Sequence, residues 1–122
     1  MRPTLLIGLL ALSACAPRTA TYTTVSVQNL RAAQQKGAYV LDVRTDAEYQ
    51  EGHVPGAALL PLADLGARMN EVPKDRPVYV ICRSGSRSAQ ASSQLVKAGY
   101  MQVFNVDGGM NAWTRAGYPA DR

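Results

Sequence analysis

The sequence predicts an α/β protein built on a mostly parallel sheet, and three observations predict it. Short, nearly continuous apolar runs, Tyr39-Val40-Leu41-Asp42-Val43 and Val78-Tyr79-Val80-Ile81, have the length and composition of strands covered on both faces. The segments between them space their apolar residues at helical intervals and carry helix caps. The two kinds of segment alternate along the chain, the pattern of helices packed on both sides of one sheet. A length of 122 residues suits one compact domain.

The elements follow in order. Ser26 is placed to cap a helix over Val27–Gln35, with Val27, Leu30 and Ala33-Gln34 on one face and Gly37 ending it. The strand Tyr39–Val43 comes next, then a short helix, Ala47–Gln50, capped by Asp46. Gly52-His53-Val54-Pro55-Gly56 reads as a loop, followed by a strand near Ala58–Leu60. Leu62–Met69 is helical, with Leu62, Leu65 and Met69 on one side, and Pro73 to Pro77 form a loop. Val78–Ile81 is the central strand. Ser86–Ala98 forms a helix with Ala89, Leu95 and Val96 as its buried candidates, closed by Gly99. A strand over Gln102–Val106, the turn Asp107-Gly108-Gly109 and a helix over Met110–Ala116 complete the domain. Trp113 reads as a packing residue, and Glu48 and Glu51 as surface charges.

The N-terminus has a different character. Met1-Arg2 is basic, Thr4 to Leu12 is mostly apolar, and Leu12-Ser13-Ala14-Cys15 follows. This is the order of an export signal, in an apolar run shorter than the ~20 residues a bilayer span needs. Leu-Ser-Ala-Cys is similar to a bacterial lipobox. That resemblance implies cleavage before Cys15 and a lipid on its sulfur. Ordinary cleavage after Ala14-Cys15-Ala16 is the alternative. The expected organisation is a signal peptide over residues 1–14, a Thr/Ala/Pro-rich tether over 15–24 reaching ~30 Å at most, and a domain over 25–122. The expected location is the periplasmic face of a bacterial membrane, through a lipid anchor or as a soluble periplasmic protein. The formal net charge of +4 is small and scattered, which argues against a nucleic-acid partner.

The chain has two cysteines, Cys15 and Cys82. With Cys15 lipidated or removed, Cys82 is an unpaired thiol in an oxidising setting, which calls for a reason. An inert, buried cysteine is the plain one. Against it stands the run Cys82-Arg83-Ser84-Gly85-Ser86-Arg87-Ser88. A strand delivers the sulfur into a loop rich in small residues. Backbone N–H groups and the start of a helix point back at it, and two arginines add positive charge. Gly85 allows a turn that a Cβ would obstruct. These effects favour a solvent-reachable thiolate with a pKa below ~8.5. Such a loop also holds an oxyanion. Four residues separate Cys82 from Arg87. Cysteine-dependent phosphatases place five there, and the tighter ring suits attack on an outer sulfur better than attack on phosphorus.

Four segments in order resemble the rhodaneses, the sulfurtransferase family. They are Leu41-Asp42-Val43-Arg44 with Glu48-Tyr49; Gly52-His53-Val54-Pro55-Gly56-Ala57; Cys82 to Ser88; and Gly99-Tyr100 followed by Val106-Asp107-Gly108-Gly109 and Ala112-Trp113. The resemblance implies a three-layer sandwich around a five-stranded sheet. It also implies that Cys82 takes the outer sulfur of an anionic donor such as thiosulfate, carries it as a persulfide, and passes it to cyanide or a thiol. Arg83, Ser84, Gly85, Ser86, Arg87 and Ser88 would hold the sulfur and the donor. Asp42, Arg44 and His53 would be structural or line the entrance. No cofactor or metal is expected, and the protein is expected to act as a monomer. The alternatives are a membrane-attached persulfide relay or partner-binding module, and, further off, a phosphatase or arsenate reductase.

Overall fold

The computed structural model describes residues 21–122. Residues 1–20, with the signal segment, Cys15 and most of the tether, lie outside the described residues. Five strands form one sheet: β1 (Thr23–Val25), β2 (Tyr39–Asp42), β3 (Ala58–Leu59), β4 (Val78–Ile81) and β5 (Val103–Val106). Their order across the sheet is β1-β5-β4-β2-β3, and every pairing is parallel. β4 is central, as its unbroken apolar run requires, with Val78, Val80 and Ile81 fully buried.

Side-chain alternation splits the core between the two faces. Val78 and Val80 pack with Leu41, Leu65, Leu95 and Val103 on one side. Ile81 packs with Val40, Leu30, Val106 and Trp113 on the other. The first layer is roofed by α3 (Leu62–Arg68) and α4 (Ser86–Lys97), the second by α1 (Val27–Gln35) and α5 (Gly109–Arg115). A short helix, α2 (Asp46–Glu51), follows β2.

Several elements differ from the sequence expectation. β1 begins inside the expected tether: Thr23 and Thr24 are strand residues paired to Phe104 and Asn105. An edge strand of three residues has no room to show an alternation. Thr45, not Asp46, caps α2, in a reciprocal capping box with Glu48. Met69 leaves α3 for a turn of 3-10 helix over Met69–Glu71. On α4 the buried face is Ser88, Ala91, Ser92 and Leu95, while Ala89 and Val96 are half-buried. The small polar serines take the side nearest the sheet, which apolarity alone does not indicate. Trp113 is wholly buried, its indole N–H donating to the Pro119 carbonyl at 2.9 Å.

Candidate functional site

Strand β4 ends at Ile81, so Cys82 emerges at the carboxyl edge of the sheet, where parallel α/β folds bind ligands. The chain then turns back sharply. Gly85, with φ of 105°, is the N-cap of α4 and carries no side-chain cap. That backbone conformation favours glycine. The turn brings the Gly85 N–H to 3.1 Å from Cys82 Sγ, and the Ser88 hydroxyl to 3.3 Å.

Burial acts to raise the thiol pKa. Donation from the Ser88 hydroxyl, and from the backbone N–H groups of Ser88, Gly85 and Ser84, outweighs it, so the pKa lies below its ordinary value. An inert cysteine in apolar surroundings shows the opposite shift. The first turn of α4 adds the positive end of its dipole.

One expectation needs correcting. Cys82 is only 1% exposed, not open to solvent. It belongs to the core layer under α3 and α4, packed near Val80, Ala91 and Leu95. The loop folds back over the sulfur more closely than its small residues suggest. Arg83 and Ser84 lie outside and exposed.

The arginines are held by a carboxylate read from the sequence as a plain surface charge. Glu48 makes a two-pronged pair with Arg87, Nη1 to Oε1 at 2.7 Å and Nη2 to Oε2 at 2.9 Å. Its Oε2 also lies 3.5 Å from Arg83 Nε. The Glu48 side chain is 18% exposed. Hydrogen bonding from Arg87 brings its pKa down to about 2, against the opposing effect of burial. Arg87 is therefore engaged across the loop rather than aimed at Cys82. The Thr45-x-x-Glu48 capping signature was visible in the sequence and would have placed Glu48 in the first turn of a helix. It carries no sign of the partner 39 residues away.

The loop is clamped from behind. The N–H groups of Met110 and Asn111, at the start of α5, donate to the carbonyls of Cys82 and Arg83 at 2.8 and 3.0 Å. Gly109, read as part of a simple turn, is what lets α5 come this close. A Cβ there would stand 2.7 Å from the Arg83 carbonyl carbon, and its φ is +52°. Both carbonyls thus face α5, leaving the amides of the next turn free to face the sulfur.

Asp42 and Arg44 form a buried pair at the end of β2. Arg44 Nη2 lies 2.8 Å from Asp42 Oδ2 and also donates to the Gly52 carbonyl at 2.8 Å. His53 stacks on Tyr49 with 3.6 Å between ring centroids, and its Nδ1 lies 2.8 Å from the Tyr49 carbonyl. None of these three side chains is hydrogen-bonded to Cys82. They brace the segment that carries Glu48. Arg44 also lines a cleft of about 310 Å³ beside the loop, with Gly52, Arg83, Asn111 and Thr114. Among the described residues no group of three or more His, Cys, Asp or Glu side chains could hold a metal ion.

Comparison with known proteins agrees with this fold. A sulfurtransferase of Allochromatium vinosum is 45% identical over 89 residues, covering 73% of this chain and 83% of the relative. A thiosulfate sulfurtransferase of Pseudoalteromonas translucida is 35% identical over 89 residues, covering 73% and 85%. The crystal structure of a rhodanese-related protein from Thermoplasma volcanium superposes with a TM-score of 0.76 at 31% identity, covering 82% of this chain and 98% of that one. Residues 26–116 match the Rhodanese-like domain, and the chain belongs to the rhodanese-like family of sulfurtransferase homologues.

Proposed function

We propose that this protein transfers a sulfane sulfur from a small anionic donor of the thiosulfate type to a thiol or cyanide, through a persulfide on Cys82. The observation that carries the proposal is the convergence of the Gly85 N–H and the Ser88 hydroxyl on Cys82 Sγ, at 3.1 and 3.3 Å. The thiolate attacks the outer sulfur of thiosulfate. A Cys82 S–S bond forms, the donor S–S bond breaks, and its electron pair leaves with sulfite. Cyanide or a thiolate then attacks the outer sulfur of the persulfide, forming thiocyanate or a new persulfide and returning Cys82 as thiolate. Charge and atoms balance in both steps without a cofactor, and kinetics should be ping-pong.

Closure of the loop over Cys82 is compatible with this chemistry if the donor opens it. A dianion arriving beside Arg83 competes with the Glu48 carboxylate for Arg87. Separating Arg87 from Glu48 releases one of the ties that hold the loop shut. The cleft beside Arg83 gives the donor an approach.

The test is intact-mass measurement after mixing with thiosulfate. The expected result is a gain of one sulfur atom, lost on adding cyanide and absent in Cys82→Ser. Sulfur gained by Cys82→Ser would refute the mechanism. A second reading is a persulfide relay served by a protein donor, whose docking would have to open the loop over the 1%-exposed Cys82. Stoichiometric loading with negligible turnover of thiosulfate and cyanide would select it. We further propose export and lipid attachment at Cys15, supported by the Leu12-Ser13-Ala14-Cys15 segment. Cys15→Ser should move the protein from the membrane to the soluble fraction.

A further inference from the structure

A parallel sheet gives the domain two unlike poles. Cys82 and its loop lie at the carboxyl pole. At the amino pole Tyr22 leads into β1, and the turns before β2, β4 and β5 lie at the same end of the sheet. Lys36 follows α1, Lys97 ends α4, and Lys74 and Arg76 lie in the turn before β4; all four are exposed. Lys36 and Arg76 line one cleft with Tyr39, and Lys74 Nζ donates to the Ala98 carbonyl beside Lys97 at 3.0 Å.

The carboxylates at this pole do not cancel these charges. Glu71 is held by Arg68, and Asp75 lies beside Arg76. Three lysines are left without a carboxylate partner among the described residues. Elsewhere the described residues carry six arginines and seven carboxylates, so the positive excess, scattered along the sequence, is gathered by the fold at the amino pole. Lys36 and Lys97 also suit the negative ends of their helices, but Lys74 and Arg76 lie outside any helix. Met101, 81% exposed, sits in the turn between α4 and β5 at the same pole. The 20 residues that precede the described part of the chain join it here, before Tyr22.

We propose that the amino pole lies against an anionic phospholipid surface, with Lys36, Lys74 and Lys97 over the headgroups and Met101 at the interface, so that the Cys82 loop faces away from the membrane. Charge complementarity selects this occupant, and the point where the N-terminal segment joins the domain supports it on the lipid attachment proposed above. The proposal does not depend on sulfur transfer, and its test does not read activity alone.

The mature chain from residue 15 onward carrying Cys15→Ser, which lacks both the apolar signal segment and any acyl group, is sedimented with vesicles of phosphatidylcholine alone or mixed with phosphatidylglycerol. Binding is expected on the mixed vesicles at low salt, fading as salt is raised, and not on phosphatidylcholine alone. Lys36→Gln, Lys74→Gln and Lys97→Gln together should lower partitioning on the order of a hundredfold, since each cation near such a surface contributes about fivefold. Melting temperature and persulfide formation should be retained. A second measurement uses the acylated protein on the mixed vesicles. Lys36 and Lys97 should be shielded from an amine-acetylating reagent, while thiosulfate loads Cys82 at an unchanged rate. Equal binding to both vesicle types, full binding by the triple variant, or shielding of the Cys82 loop instead of the lysines would each overturn the proposal.

Discussion

Cys82 is both a core residue and an acidified thiol, and the two properties pull in opposite directions. Burial alone raises a thiol pKa. Its lowering therefore rests on donors, and Ser88 supplies both a hydroxyl and a backbone N–H. Ser88→Ala removes the hydroxyl, disfavours the thiolate and moves the pKa up. The acid limb of the sulfur-transfer rate against pH should shift to higher pH, and the rate measured on that limb should fall on the order of tenfold, the worth of one hydrogen bond to a charged group. Unchanged position of that limb in stopped-flow measurements with thiosulfate would mean that Ser88 merely packs. The cradle was legible in the sequence because glycine, serines and a following helix start are local signals. The depth of the sulfur was not. How tightly a loop closes depends on what lies above and below it, and here that is α5 and Glu48, which reach the loop from distant parts of the chain.

At the scale of elements, the loop is shaped by two neighbours that fix opposite sides of it. α5 holds the Cys82 and Arg83 carbonyls from below, and Glu48 on α2 holds Arg87 and touches Arg83 from above. Gly109→Ala tests the first. A Cβ at that position must displace the Arg83 backbone, and its positive φ adds strain. The expected cost is about 2–3 kcal/mol in denaturant unfolding. Thiosulfate loading should slow further than stability explains, because the amides around Cys82 shift with the loop. A variant that unfolds earlier but loads sulfur at the normal rate would show that the clamp is not needed for the site. Strands β2 to β5 and the helices were readable in order, since they carry their own apolar periods and are bounded by glycine, proline or, for α1 and α2, capping side chains. β1 was not, because three residues at a sheet edge gain their structure from pairing with β5. The pairing of α2 with the loop was not readable either, for the same reason of distance along the chain.

For the whole molecule, the Glu48–Arg87 pair couples stability to pH and to the donor at once. The folded pKa of Glu48 is about 2, depressed from an ordinary value of 4.5. A depressed carboxyl stabilises the fold fully above its unfolded pKa, and that contribution disappears as pH falls through the folded one. Partial exposure of both partners limits it to about 1–2 kcal/mol. Glu48→Gln should therefore unfold more easily than the parent at neutral pH, with the difference constant above pH 4.5 and closing as pH falls toward 2. The same variant frees Arg87 and Arg83 for an incoming anion. If Glu48 competes with the donor, KM for thiosulfate should fall while stability falls with it. A purely structural pair gives the other combination, lower stability with KM unchanged or raised. Urea unfolding across pH and steady-state kinetics on one preparation separate the two outcomes, since only competition for the arginines makes the less stable protein the better binder.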